Sequence, residues 1–210
     1  MICFLEKHRK MCMNLLWAAV VLASIKSLFT DTGFDNAYMV AMSFRHLKGD
    51  GMFAQMWEPH QTSAFFTDFF MWIYHFFVPS YTGVMIYLQI VGTAFFALVG
   101  IPLYRLLKKI AGSDIAQLAT MFFIMFRAKQ TPFPDFANLQ IAFSTLLFLC
   151  LVSFVREQQK KRYLCLAAVC LCLEILSYPS CLLAYFPAAL ILFTKTRERW
   201  KNIGLFTGVC

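Results

Sequence analysis

Charge is scarce in this sequence. Asp, Glu, Lys and Arg make up 14% of its 210 residues, against about a quarter in a soluble globular domain. With 60% of residues hydrophobic, that scarcity excludes an ordinary soluble domain. Soluble-enzyme signatures are missing too. There is no Walker loop, no Gly-x-Gly-x-x-Gly, no His-Glu-x-x-His and no Gly-x-Ser-x-Gly. No paired Cys/His spacing points to a metal, and the eight cysteines sit mostly in or beside apolar runs, where they read as small core residues. A disulfide framework is not expected. No repeat, low-complexity tract or flexible linker divides the chain, so 1–210 reads as a single transmembrane domain.

What is present is a series of long apolar runs. A bilayer core takes roughly 20 residues of helix to cross. Its lack of water obliges the backbone to satisfy its own hydrogen bonds. A β-barrel would show short alternating segments, and these runs are continuous. The expected fold is therefore all-α: a polytopic transmembrane helical protein with a long extracytoplasmic first loop holding two interfacial helices.

The net charge of +8 does not point to nucleic acid, because the cations share no single solvated stretch. They fall in four clusters between apolar runs: Lys7 to Lys10, Arg105 to Lys109, Arg156 to Arg162, and Lys195 to Lys201. These hold 14 of the 19 Lys and Arg and read as cytoplasmic anchors. The first span, about Met11 to Phe29, then has its N-terminus in the cytoplasm. Its length and the unsuitable Lys26-Ser27-Leu28 argue against a cleaved signal peptide.

The first loop is expected to carry a helix over Asp35 to Lys48, stopped by Gly49-Asp50-Gly51. An aromatic helix follows, capped by Thr62 or Ser63 and running to about Val78. The positive-inside rule favours an interfacial place for it. Span 2 is then Tyr81 to Tyr104, span 3 Ile115 to Phe126 and span 4 Leu139 to Val155. Tyr178-Pro179-Ser180 breaks Leu164 to Phe193 into two short spans. Gly204 to Cys210 reads as the start of another apolar segment, so the chain is expected to be the N-terminal portion of a longer protein.

Candidate chemistry lies on the outer side. Asp31 and Asp35 can act as general bases towards a hydroxyl or amine, and Asp35 can equally cap its helix. His60 can bind an anionic headgroup or stand as a structural interface histidine. Glu58 and Trp57 can contact a sugar, or Trp57 can anchor the interface. Arg127 and Lys129, outside against the positive-inside trend, suit a phosphate or pyrophosphate, or are plain loop charges. Asp135 can cap span 4 or face the cavity of Asp35. Glu174 is an ionisable group inside a span, often a functional mark, with no partner evident in the sequence.

The layout Phe34-Asp35-Asn36-Ala37-Tyr38, Leu47-Lys48-Gly49-Asp50-Gly51, Trp57-Glu58-Pro59-His60 and an aromatic helix resembles the start of the GT-C superfamily of membrane glycosyltransferases. Pro134-Asp135-Phe136-Ala137 and Tyr178-Pro179 resemble its second outer loop and a later break. The bacterial branch with aminoarabinose transferases and protein mannosyltransferase-like enzymes is the nearest likeness. Asn36 stands where that branch often has a second acid, and Pro59-His60 stands for its prolyl segment. The resemblance implies sugar transfer from a polyprenyl-phosphate-linked donor to an extracytoplasmic lipid, glycan or protein, in the bacterial inner membrane. It implies Asp35 as base with Asp31 as fallback, and His60 at the donor phosphate. It implies no cofactor, although members vary in metal need. A transporter or lipid-translocating protein, and a non-catalytic truncated remnant, are the rival readings.

Overall fold

The computed structural model describes residues 8–30, 33–56, 60–128 and 131–210. Among these every regular element is helical: α1 (Arg9–Ser27), α2 (Phe34–Leu47), α3 (Ala64–Phe77), α4 (Val84–Ala111), α5 (Ser113–Met125), α6 (Phe136–Arg156), α7 (Lys161–Ser177), α8 (Tyr185–Lys195) and α9 (Arg199–Val209). Three of them, α1, α4 and α6, are long and apolar enough to cross a membrane, which suggests a membrane protein. Three expected spans are shorter. The 13 residues of α5 reach about 20 Å at ~1.5 Å per residue, less than a bilayer core of about 30 Å. The 17 residues of α7 and the 11 of α8 also fall short, although a 3₁₀ turn at Pro179–Ala184 lengthens α8.

Several boundaries follow local chemistry. α2 stops where expected. Gly49 takes φ +104°, its N–H donates to the His46 carbonyl at 2.9 Å, and Asp50 N–H donates to the Arg45 carbonyl at 3.1 Å. That is a Schellman close, which needs a residue free to enter the left-handed region. Arg45 clasps Asp50 across it at 2.7 Å. Two expected side-chain caps do not form. The N-cap of α2 is Gly33, and Asp35 lies inside the first turn. There its charge still complements the helix dipole. Ser63 stands at the N-cap position of α3, as expected, but its side chain makes no capping hydrogen bond. A 3₁₀ turn at Gln61–Ser63 leads into that helix, and Ser63 Oγ donates to the His60 carbonyl at 2.6 Å instead.

α4 is longer than expected, 28 residues. It starts late because Gly83 turns the chain at φ +88°. It then runs through Arg105, Lys108 and Lys109 to Gly112, because Leu, Lys and Arg are good helix formers.

α3 is polar inside and aromatic outside. Ala64, Thr67, Asp68 and Met71 are buried, at the i, i+3, i+4, i+7 spacing of one face. Phe65, Phe69, Trp72, Phe76 and Phe77 are exposed. A water-facing helix shows the reverse, so this face suits lipid or the membrane interface.

The helices pack as hairpins. Met39, Met42, Met71, Leu88 and Phe133 join α2, α3 and the start of α4. Phe96, Val99, Phe123 and Ala142 join α4, α5 and α6. Leu147, Phe154, Leu171, Leu192 and Phe206 join α6 to α9.

Polar contacts between remote segments define the two ends of this bundle. Arg9 pairs with Asp114 at 2.6 Å, Tyr104 Oη lies 3.4 Å from Ser113 Oγ, Lys109 lies 3.6 Å from Glu157, and Asn202 reaches Gln159 at 3.5 Å. These contacts bring the four basic clusters to one end. Glu157 is the anion shared by the second and third clusters, through Lys109, Lys160 and Arg162. The Tyr163 hydroxyl, and then Lys109 and Lys160, hold its carboxyl below the usual range. The opposite end gathers the close of α1, the loop after α5, the start of α6 and the close of α7.

Candidate functional site

Three segments far apart in the chain meet at that second end. The loop after α5 is rich in proline, so it cannot close on itself through a regular backbone ladder. Side chains satisfy it instead. Asn138, in the first turn of α6 and only 1% exposed, donates from Nδ2 to the carbonyls of Thr131 (3.0 Å) and Phe133 (2.9 Å). Its Oδ1 accepts from the Ala128 N–H at 3.1 Å. Asp135, completely buried, caps α6 by accepting the Asn138 N–H at 2.8 Å. Of its two readings, the cap is the one the structure realises.

α2 is tied to this loop by Asn36. Buried at 1% exposure, it donates from Nδ2 to Thr131 Oγ1 at 2.7 Å. Asn36 Oδ1 has no hydrogen-bond partner among the described residues. From the other side α4 presses in at Gly92, where a Cβ would overlap the Pro132 carbonyl oxygen.

His60 completes the junction. Its ring stacks on Phe136 (centroids 4.1 Å apart) and on Tyr178 (4.6 Å). One imidazole thus joins the first loop, the start of α6 and the break after α7. Asp35 sits one residue before Asn36 and is half-buried. Arg127 points elsewhere. Its guanidinium lies 4.3 Å over the Phe96 ring and lines a small cavity with Ser24 and Ser27. Burial pulls its pKa down to about 10, so it stays a cation at neutral pH. Asp31, Trp57, Glu58 and Lys129 lie outside the described residues. Among the described residues no three His, Cys, Asp or Glu side chains gather as metal ligands.

An apolar groove adjoins this junction. It is about 300 Å³ in volume and is walled by Phe65, Phe66, Phe69, Phe95, Pro134 and Phe143. Pro134 belongs to the same loop that holds Asp135, so polar cluster and groove share a wall.

Sequence reasoning missed several of these groups. Asn36 and Asn138 were legible as residues but not as ties, since nothing local marks the pairing of Asn36 with Thr131. His46 and Asp68 were missed as a pair. His46 Nδ1 lies 2.5 Å from Asp68 Oδ2, linking α2 to α3. Helical spacing places each on an inward face, which is the only signal they leave. Glu174 does have a partner: the Ser144 hydroxyl on α6 donates to it.

Burial pushes the Asp68 carboxyl above its ordinary value of 3.8, and the opposing hydrogen bonds from His46 and Ser43 do not cancel this. The folded state therefore keeps a proton that the unfolded chain has released. Its contribution to stability is complete below pH 3.8 and is lost as pH rises through the higher folded value. An Asp68→Asn protein is expected to show a flatter decline of the unfolding midpoint over that range. An unchanged decline would assign it to other groups.

The class that fold and junction define is, among the described residues, an all-helical protein with three helices long and apolar enough to cross a membrane, and a polar, aromatic-braced cluster at one end. Comparison with protein-family models, with curated proteins and with solved structures gives no match.

Proposed function

We propose that this chain is part of a membrane glycosyltransferase of the GT-C type, moving a sugar from a polyprenyl-phosphate-linked donor to an extracytoplasmic acceptor. The observation that carries the reading is the shared wall between the polar junction and the aromatic groove at Pro134. A lipid-linked phosphate sugar has the same two-part character: apolar tail, charged and hydroxylated head. The groove takes the start of the tail, and Asp35 and His60, held by the junction, face the head. Asp35 is the base for the attacking acceptor, with Asp31 as fallback. Trp57, Glu58 and His60 contact the sugar and phosphate, and Lys129 supplies a cation to the leaving phosphate. The orientation that fits is N-terminus in the cytoplasm of a bacterial inner membrane, with the basic end inside.

The test is transfer of a radiolabelled sugar from a polyprenyl-phosphate donor by membranes holding the full-length protein. Asp35→Asn is expected to lower the rate by at least about 100-fold, the scale of a lost general base, at unchanged expression. A variant that keeps its rate overturns the assignment. A transport reading rests on Glu174, buried on α7 against Ser144. Substrate flux that survives Asp35→Asn but not Glu174→Gln would favour it.

A further inference from the structure

At the basic end, the first turns of α1 and α5 leave a cleft of about 730 Å³ between them, lined by His8, Arg9, Lys10, Asn14, Asp114 and Gln117. A second, mostly apolar groove of about 400 Å³ runs on between α1, α4 and α5, lined by Trp17, Ile101, Tyr104, Gln117 and Ile124. Gln117 borders both, and Trp17 Nε1 donates to Gln117 Oε1 at 3.1 Å. Cleft and groove are thus one surface, polar at the helix ends and apolar along the helix shafts. No residue of α1 is buried, so this surface opens sideways.

We propose that this surface is a binding site for an anionic phospholipid, with the phosphate headgroup in the cleft and one acyl chain along the groove. The charge balance argues for the anion. Arg9 and Asp114 pair through two contacts, at 2.6 and 2.8 Å, and largely neutralise each other. Lys10 adds an exposed cation on the cleft wall. Lys108 lies 5.7 Å over the Tyr104 ring at the groove's mouth. The sum is positive, and each basic group beside a membrane surface strengthens binding of anionic lipid about fivefold. The apolar groove argues for a lipid over a free phosphate, since a phosphate gains nothing from contact with Trp17 or Ile101. The site is separate from the junction at the other end, so it stands or falls apart from the glycosyl-transfer reading.

The experiment is native mass spectrometry of the purified full chain in detergent, offered phosphatidylglycerol or phosphatidylcholine with identical tails. The wild type is expected to retain phosphatidylglycerol at least about fivefold better, and Lys10→Gln to erase about that factor. Asp114→Asn is expected to raise the preference, because it removes the one acid among the described residues lining the cleft and frees Arg9. An unfolded variant could not produce that gain. Ala97→Phe, on an exposed position of the groove wall, is expected to lower retention of both lipids. Equal retention of the two lipids by the wild type overturns the proposal. So does a shift of Lys10→Gln and Asp114→Asn in the same direction, or displacement of the lipid by millimolar glycerol 3-phosphate, which has the head without tails.

Discussion

An Asn138→Ala protein is expected to lose about 3 kcal/mol or more of stability, since two buried carbonyls are left without donors at about 1–3 kcal/mol each. Those carbonyls belong to Thr131 and Phe133, and both residues are almost completely buried. Water cannot replace the lost amide there without opening the junction. The third partner, the Ala128 N–H, is at an exposed residue and can be solvated, so it adds little. Asn138→Asp separates hydrogen bonding from volume. It keeps the shape but turns the donor into a carboxylate facing two carbonyl oxygens, and should be worse than alanine. Thermal unfolding in detergent reads both. If Asp is milder than Ala, the amide is not what holds the loop.

Gly92→Ala is the second large effect. A Cβ at this position would overlap the Pro132 carbonyl and come within 3.1 Å of the Phe133 carbonyl carbon. Both obstacles are backbone, so no side-chain rotation relieves them. Overpacking of this kind costs about 1–3 kcal/mol, occasionally more. Against it stands the gain of about 1 kcal/mol that alanine brings to a helix interior over glycine. A net loss of up to about 2 kcal/mol is expected, with the proline-rich loop displaced from α4. Gly100→Ala, on the same helix, is the control. Its Cβ would meet the methyl ends of Thr120 and Ile124 at 3.3 and 3.4 Å, which can shift. It should be close to neutral. Equal unfolding midpoints for the two variants would remove the close approach at Gly92 as a structural constraint.

The elements readable in the sequence are those whose cause is local. The close of α2 needs only a glycine that enters the left-handed region after a helical run, and Gly49 supplies it. The break at Tyr178-Pro179 needs only the missing N–H of proline and its bias on the residue before it. Asp135 caps the helix that begins one residue later, within the reach of its own side chain. Where local rules compete, reading failed. Gly33 and Asp35 are both acceptable N-caps, and the glycine takes the extended position. Ser63 is a good cap residue, but the 3₁₀ turn before α3 engages its hydroxyl first. The length of α4 was misjudged because charged residues marked the membrane edge and were taken to mark the helix end as well.

The candidate site divides in the same way. Asp35, His60 and Asp135 stood out as ionisable groups near apolar runs. That His60 would stack with both Phe136 and Tyr178 could not be seen, because more than a hundred residues separate the two ends of that cluster. Asn36 looked like a missing acid, and it is a buried tie to Thr131, 95 residues away.

Composition and the spacing of apolar runs were enough to establish helices and four basic clusters and to suggest a membrane around them, because a backbone removed from water has to satisfy itself within each segment. Which polar groups meet at the helix ends followed from packing alone. The loop at Thr131 to Asp135 finds donors in Asn36 and Asn138 only after α2, α4 and α6 have been brought together. No local preference encodes a contact between residues whose nearness is created by the rest of the chain.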